Sequence, residues 1–139
     1  MLPKQDQWSI VKQTVALEAE GESTLGKLGI IWVILNRAKK RKQPLHEVCL
    51  APAQFSCWNM MPYAITRLNK IDEKVFIEID KLILGTTSTM AGFSDPTFGA
   101  THYLNIELTK KQNGGKLPAW VRKMRHTATI GLHDFYVEE

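Results

Sequence analysis

Three carboxylates crowd five residues near the start of the chain, in Thr14-Val15-Ala16-Leu17-Glu18-Ala19-Glu20-Gly21-Glu22. Wound as a helix at roughly 100° per residue, the segment gathers Trp8, Ile10, Val11, Thr14, Val15, Leu17 and Ala19 on one arc. Ser9, Lys12, Gln13, Ala16 and Glu20 take the other side. Glu18 falls within the apolar arc. Burial disfavours a charged carboxylate and raises its pKa, so such a Glu can donate a proton near neutral pH. A structural role competes: Glu18 caps a neighbouring helix end or pairs with a buried arginine such as Arg37. Glu20 reads as a solvated face residue. Gly21 ends the helix, and Glu22 then sits at the junction before Ser23-Thr24, a start for the next helix.

A second chemistry-bearing stretch is Pro52-Ala53-Gln54-Phe55-Ser56-Cys57-Trp58-Asn59. Aromatic faces beside amides and hydroxyls suit sugar rings, which have apolar faces and polar edges, and loops of this kind bind ligands. Phe55 taken alone reads as a core residue. His46, His102, His126 and His133, with Cys49 and Cys57, form no HxxxH or CxxC spacing, so no metal or other cofactor is implied. Cys57 with His102 or His133 stays open as a nucleophile–base pair, because such pairs are set in space rather than in sequence. No P-loop or GxGxxG motif is present.

The elements that must position these groups are helices first and strands last. Residues 8–22 and 24–42 read as long helices, the second buried all round because 29–35 is nearly all apolar. Residues 45–50 form a short turn of helix between prolines. Residues 72–84 form a helix begun by Asp72 and ended by Gly85. Residues 92–99 are a turn-rich loop, 101–106 alternate like a strand, and 118–121 open a short segment. Residues 126–130 and 133–137 are strands around Gly131-Leu132. The expected architecture is α+β: several helices with a small antiparallel sheet near the C-terminus.

The 139 residues suit one domain, 1–139, with 44% hydrophobic and 23% charged residues. No apolar run reaches transmembrane length, so stable membrane insertion is not expected. The polar lead-in Met1-Leu2-Pro3-Lys4-Gln5-Asp6-Gln7 does not resemble a signal peptide, which implies synthesis in the cytoplasm. A formal charge of +4 and a pI near 9.1 suit a polyanionic partner. Lys39-Lys40-Arg41-Lys42 complements a helix C-terminus, so a nucleic-acid partner is not expected. The chain is expected to be a monomer.

Taken in order, these motifs resemble those of the spore-cortex-lytic cell wall hydrolases, the SleB/CwlJ-type family. Glu18-Ala19-Glu20-Gly21-Glu22 with Gly26 and Asn36-Arg37 looks like the opening motif. Gln54-Phe55-Ser56-Cys57-Trp58 is similar to the second signature and 95–103 to the third. Pro118 with Trp120, then Ile130-Gly131 with His133, Phe135 and Tyr136, resemble the closing motifs. Two departures stand out: Glu20 where the family usually has Arg, and Phe98 where it has a small residue. The resemblance implies a lysozyme-like, lytic-transglycosylase-like catalytic domain acting on peptidoglycan glycan strands, with Glu18 as its acid. It implies cleavage of the β-1,4 bond between N-acetylmuramic acid and N-acetylglucosamine, giving 1,6-anhydromuramic ends. Glu22, Gln54, Ser56, Trp58, Asp95, Thr101, His102 and Tyr103 are the candidates for holding the glycan. A muramidase using Glu22 or Asp95 as second carboxylate, a zinc-dependent wall amidase and a non-catalytic wall-binding module are the alternatives. A short basic version without an export signal looks like a phage endolysin, reaching the wall in the periplasm through holin-type membrane holes.

Overall fold

The computed structural model describes residues 4–51, 55–58, 61–87 and 92–139. Helix α1 (Lys4–Ala19) is the hub. Helices α2 (Thr24–Arg41), α3 (Leu45–Leu50), α4 (Met61–Leu68) and α5 (Glu73–Thr87) all pack against it, as does a 3₁₀ turn at Ser56–Trp58. This coverage explains why Ala16 is fully buried along with Val11 and Val15, although the helical wheel puts it on the polar side. A helix packed from several directions buries more than one stripe. None of the described helices is long and apolar enough to cross a membrane.

Helix α1 stops at Ala19, and the Glu22 N–H donates to the Ala19 carbonyl at 2.9 Å to close the turn. Ser23 then caps α2 by accepting from the Gly26 N–H at 3.1 Å. Ile30, Ile31, Val33 and Ile34 are wholly buried because α2 lies between the helical core and the sheet. Gly29 makes the approach to the sheet possible: a Cβ there would sit 3.1 Å from the Phe135 ring. The basic run at the end of α2 lies against the C-terminal strand, with Arg41 3.6 Å from the Glu138 carboxylate and Lys40 donating to the Glu138 carbonyl.

Strands β1 (His102–Leu104), β2 (Arg125–Ile130) and β3 (His133–Val137) form an antiparallel sheet in the order β1-β3-β2. Tyr103 pairs with Phe135, and His102 with Tyr136. Val33, Ala100, Ile130 and Phe135 make a second, smaller core, and Tyr103 packs on both cores. Between β1 and β2 lie α6 (Ile106–Gln112) and α7 (Trp120–Lys123).

Four elements differ from expectation. Helix α4 and helix α6 are additions. The first strand is shorter than 101–106 because Asn105 leaves it to cap α6, accepting from the Leu108 N–H at 3.0 Å. Helix α5 runs through Gly85 to Thr87. Gly85 serves close approach rather than termination, since a Cβ there would lie 2.1 Å from the Phe93 ring.

Phe135 is fully buried and touches the face of α2 at Gly29. Phe135→Ala is expected to lower stability by about 3–5 kcal/mol through lost burial and a residual cavity. Urea denaturation checks this; a change under about 1 kcal/mol would show that α2 and the sheet are not one packed unit.

Candidate active site

Glu18 lies in the last turn of α1, partly buried. Burial raises its carboxyl pKa above the usual 4.5. Opposing this, the Cys57 thiol and backbone N–H both donate to the carboxylate, and the Arg67 guanidinium stands nearby. The negative end of the α1 dipole adds to the disfavour of an anion here. The site thus holds a carboxyl that keeps its proton more readily than a solvated one, with donors already aimed at the anion it becomes.

Cys57 arrives on the 3₁₀ turn, which is tied to α1 by a short polar relay. The Trp58 indole N–H donates to Thr14 Oγ1 at 2.9 Å, and that hydroxyl donates to the Ile10 carbonyl at 2.7 Å. Trp58 is therefore anchored through its nitrogen. Phe55, 2% exposed, is a core residue as expected, and the Arg37 guanidinium lies 5.2 Å from its ring centre. Arg37 is directed elsewhere than Glu18: its Nε donates to the Thr101 carbonyl at 2.9 Å. The cation near Glu18 is Arg67 of α4, which donates to the Leu17 carbonyl at 3.1 Å and lies 3.4 Å from Glu20.

Tyr103 enters from β1. Burial pushes its phenol well above the usual range, and the Glu18 charge adds to this, so a neutral hydroxyl-bearing ring borders the acid. His133 stands edge-on to Tyr103 with ring centres 5.2 Å apart. Its buried Nδ1 lies 3.5 Å from Glu22 Oε1 without the alignment of a hydrogen bond. Because α1 ends at Ala19, Glu22 is not the next-turn neighbour of Glu18. It faces the β2–β3 hairpin instead, and its backbone carbonyl accepts from the Lys27 amine at 2.7 Å.

The remaining candidates divide by what already engages them. Asp95 accepts from Asn36 Nδ2 at 2.9 Å, from the Thr97 N–H at 2.8 Å and hydroxyl at 2.6 Å, and from the Gly99 N–H at 2.9 Å. It knots its own loop. Thr101 is 2% exposed, with its hydroxyl accepting from the Glu138 N–H at 2.9 Å. It fixes the strand start rather than presenting a hydroxyl outward. His102 rests against Trp120 at 5.1 Å between ring centres, with Nδ1 2.9 Å from Thr101 Oγ1. Burial, followed by the Arg37 charge, lowers its pKa to about 4. Gln54 and the side chain of Ser56 lie outside the described residues.

Cys49 and Cys57 are free thiols, with burial raising Cys49 to about 11 and pushing Cys57 up further beside Glu18. A thiol held protonated is a poor nucleophile, and both candidate base histidines face other partners. Among the described residues, no group of three or more His, Cys, Asp or Glu is placed to hold a metal ion. Arg67 and the donor role of Cys57 escaped the sequence reading. The one available signal was Pro62 in a first turn, with Arg67 in the last turn of the same helix.

Helices gathered on α1, with a small antiparallel sheet packed against α2, make a lysozyme-like fold. The fold is similar to two solved structures. One is the catalytic domain of the germination-specific lytic transglycosylase SleB from Bacillus anthracis, with a TM-score of 0.67 and 22% identity over 95% of this chain and 94% of that one. The other is the catalytic domain of the Bacillus cereus SleB protein, with a TM-score of 0.65 and 23% identity over 95% and 90%. Comparison with curated proteins gives no match. Residues 21–136 match the Cell Wall Hydrolase family, and the chain belongs to that family. It is thereby an enzyme of peptidoglycan degradation. The matched span opens at Gly21, just past Glu18, so the case for Glu18 rests on its surroundings.

Those surroundings make a pH prediction with a definite sign. The folded-state pKa of Glu18 is raised above its unfolded value, so folding binds its proton. The stability it contributes is complete below pH 4.5 and is lost as pH rises through the folded pKa. Glu18→Gln lacks this loss. Its stability relative to wild type should therefore climb with pH across that window and then level off, as read by urea titrations at several pH values. Parallel curves would show that Glu18 titrates as a solvated carboxyl.

Proposed function

We propose that this enzyme is a lytic transglycosylase with Glu18 as acid and then base. The observation that carries this reading is the half-buried Glu18 carboxyl with its pKa raised, contacted by the Cys57 donors and bordered by Tyr103. Glu18, protonated, donates to the β-1,4 glycosidic oxygen between N-acetylmuramic acid and N-acetylglucosamine. The C1–O bond breaks as the muramic ring passes through an oxocarbenium-like state, and the leaving sugar keeps the proton as its 4-hydroxyl. The Glu18 carboxylate, held by the Cys57 N–H and thiol, then accepts the proton of the muramic 6-hydroxyl as that oxygen bonds to C1. Glu18 regains its proton, a 1,6-anhydro ring forms, and no water is consumed.

A hydrolase with two carboxylates typically sets them about 5–9.5 Å apart across the bond. Glu22 turned toward His133 and Asp95 bound into its loop support the single-acid reading. Tyr103 and Trp58 supply aromatic surface beside the acid. The SleB of Bacillus anthracis, named as a lytic transglycosylase, lends this reading support by fold.

Mass spectrometry of muropeptides released from purified peptidoglycan tests it. Wild type should yield anhydromuramic ends, and the rate should fall as pH rises through the Glu18 pKa, because only the protonated form starts the cycle. Glu18→Gln should fold and lose on the order of 10²–10⁴-fold in rate. Glu22→Gln should weaken turnover or stability while leaving the product anhydromuramic. Reducing muramic ends, together with a Glu22→Gln variant as inactive as Glu18→Gln, would establish a two-carboxylate hydrolase instead.

A further inference from the structure

Away from Glu18, the loop after α6 and the start of α7 enclose a cleft of about 530 Å³. Lys110, Lys116 and Arg122 bring three cations to it, and Leu117, Pro118 and Val121 give it apolar surface. None of the hydrogen bonds or ion pairs found among the described residues engages those three charged side chains. Unpaired cations around an apolar cleft form a place where a ligand carboxylate gains charge-assisted bonds that nothing in the protein supplies.

The cleft is fixed relative to the site. Trp120 of α7 packs at a tilt on His102 of β1 and meets Tyr136 of β3 at 5.5 Å between ring centres, on the sheet face opposite Tyr103. A second cleft of about 590 Å³ lies along α6 and shares Lys110 with the first. A third, about 310 Å³, shares Asn105 and Glu107 with the second and reaches Gly131 in the hairpin that Glu22 faces. Glu107 and Asp134 give the hairpin end an acidic wall, Lys110 and Lys111 line the middle cleft beside Glu107, and Lys116 and Arg122 lie at the far end.

We propose that this row seats the peptide chains attached to the glycan, with a free peptide carboxylate in the Lys110–Lys116–Arg122 cleft. The proposal rests on the glycan-cleaving reading above for its substrate. A peptide suits the site better than a polyphosphate chain, because Leu117, Pro118 and Val121 offer contact to alkyl side chains and an extended polyphosphate has none. The acidic wall also disfavours a ligand that is anionic along its whole length.

The test uses the full chain and two substrates: intact peptidoglycan, and glycan strands whose peptides have been removed by an amidase. Binding of the released wall peptide alone is measured in parallel. Lys116 and Arg122 are exposed, so Lys116→Ala/Arg122→Ala should melt like wild type. Wild type should bind the peptide and cleave intact strands on the order of tenfold more efficiently than stripped ones, in a salt-sensitive manner. The double variant should lose both the binding and the preference. Equal cleavage of the two substrates by wild type, or a preference retained in the variant, overturns the proposal. So does a glycerol-phosphate polymer that binds through Lys116 and Arg122 where the peptide does not. Peptide binding that the variant loses, with no cleavage of either substrate by wild type, supports the peptide site and overturns the glycan-cleaving reading instead.

Discussion

A buried guanidinium ties the halves of this molecule together. Arg37 is 3% exposed on α2, and burial lowers its pKa to about 10. A charge taken out of water is costly unless its donors are satisfied. Arg37 satisfies them on the Thr101 carbonyl at the head of β1, and its face covers the Phe55 ring. Both partners lie two residues from a residue that borders Glu18. Phe55 precedes Cys57, the donor to Glu18; Thr101 precedes Tyr103, the ring beside Glu18. One buried side chain thus fixes the two chain segments that meet Glu18, while Glu18 itself is placed by α1.

The neighbouring contacts extend this clamp. Asn36, one residue before Arg37, donates to the Ala100 carbonyl and to Asp95 at 2.9 Å each. Asp95 gathers the loop before β1, including Phe98, which sits at φ 55 and is 75% exposed. A bulky residue in the left-handed region is unfavourable, and the hydrogen bonds of Asp95 to residues on both sides of Phe98 are what hold it there. The Asn36-Arg37 pair in the sequence therefore acts as a positioning device: it sets the height and direction of β1, and so the placement of Tyr103.

The progression from helices to a C-terminal sheet was legible in the sequence, as was the position of Glu18 on the apolar arc of the first helix. Local chemistry specifies both: Ser23 and Asp72 as caps, Gly21 at a helix end and Gly131 in a hairpin depend on neighbours within a few residues. What the sequence hid depends on packing. Gly85 reads as a helix stop, yet its missing side chain exists for the Phe93 ring. Asn105 reads as the continuation of a strand, yet it caps α6. The contacts of Glu18 with Cys57 and Arg67 join residues far apart in the chain, and no spacing rule reports them. Asp95 and Thr101 stand out by residue type, but only the fold engages their polar atoms within the protein.

On the proposed mechanism, the balance at Glu18 accounts for how one carboxyl can serve in both directions. An acid held only by burial would give up its proton reluctantly and leave an anion with nothing to stabilise it. One held only by donors and a cation would be ionised near neutral pH and unable to begin. Here burial raises the pKa, while the Cys57 donors and Arg67 pull it back. The two forms are thereby brought closer in free energy, which is what the proposed cycle requires of a group that donates and then recovers a proton. Cys57 suits this position for a further reason. Its thiol is kept protonated by the same burial and by the Glu18 charge. As Glu18 ionises, it therefore meets a weak neutral donor rather than a competing anion.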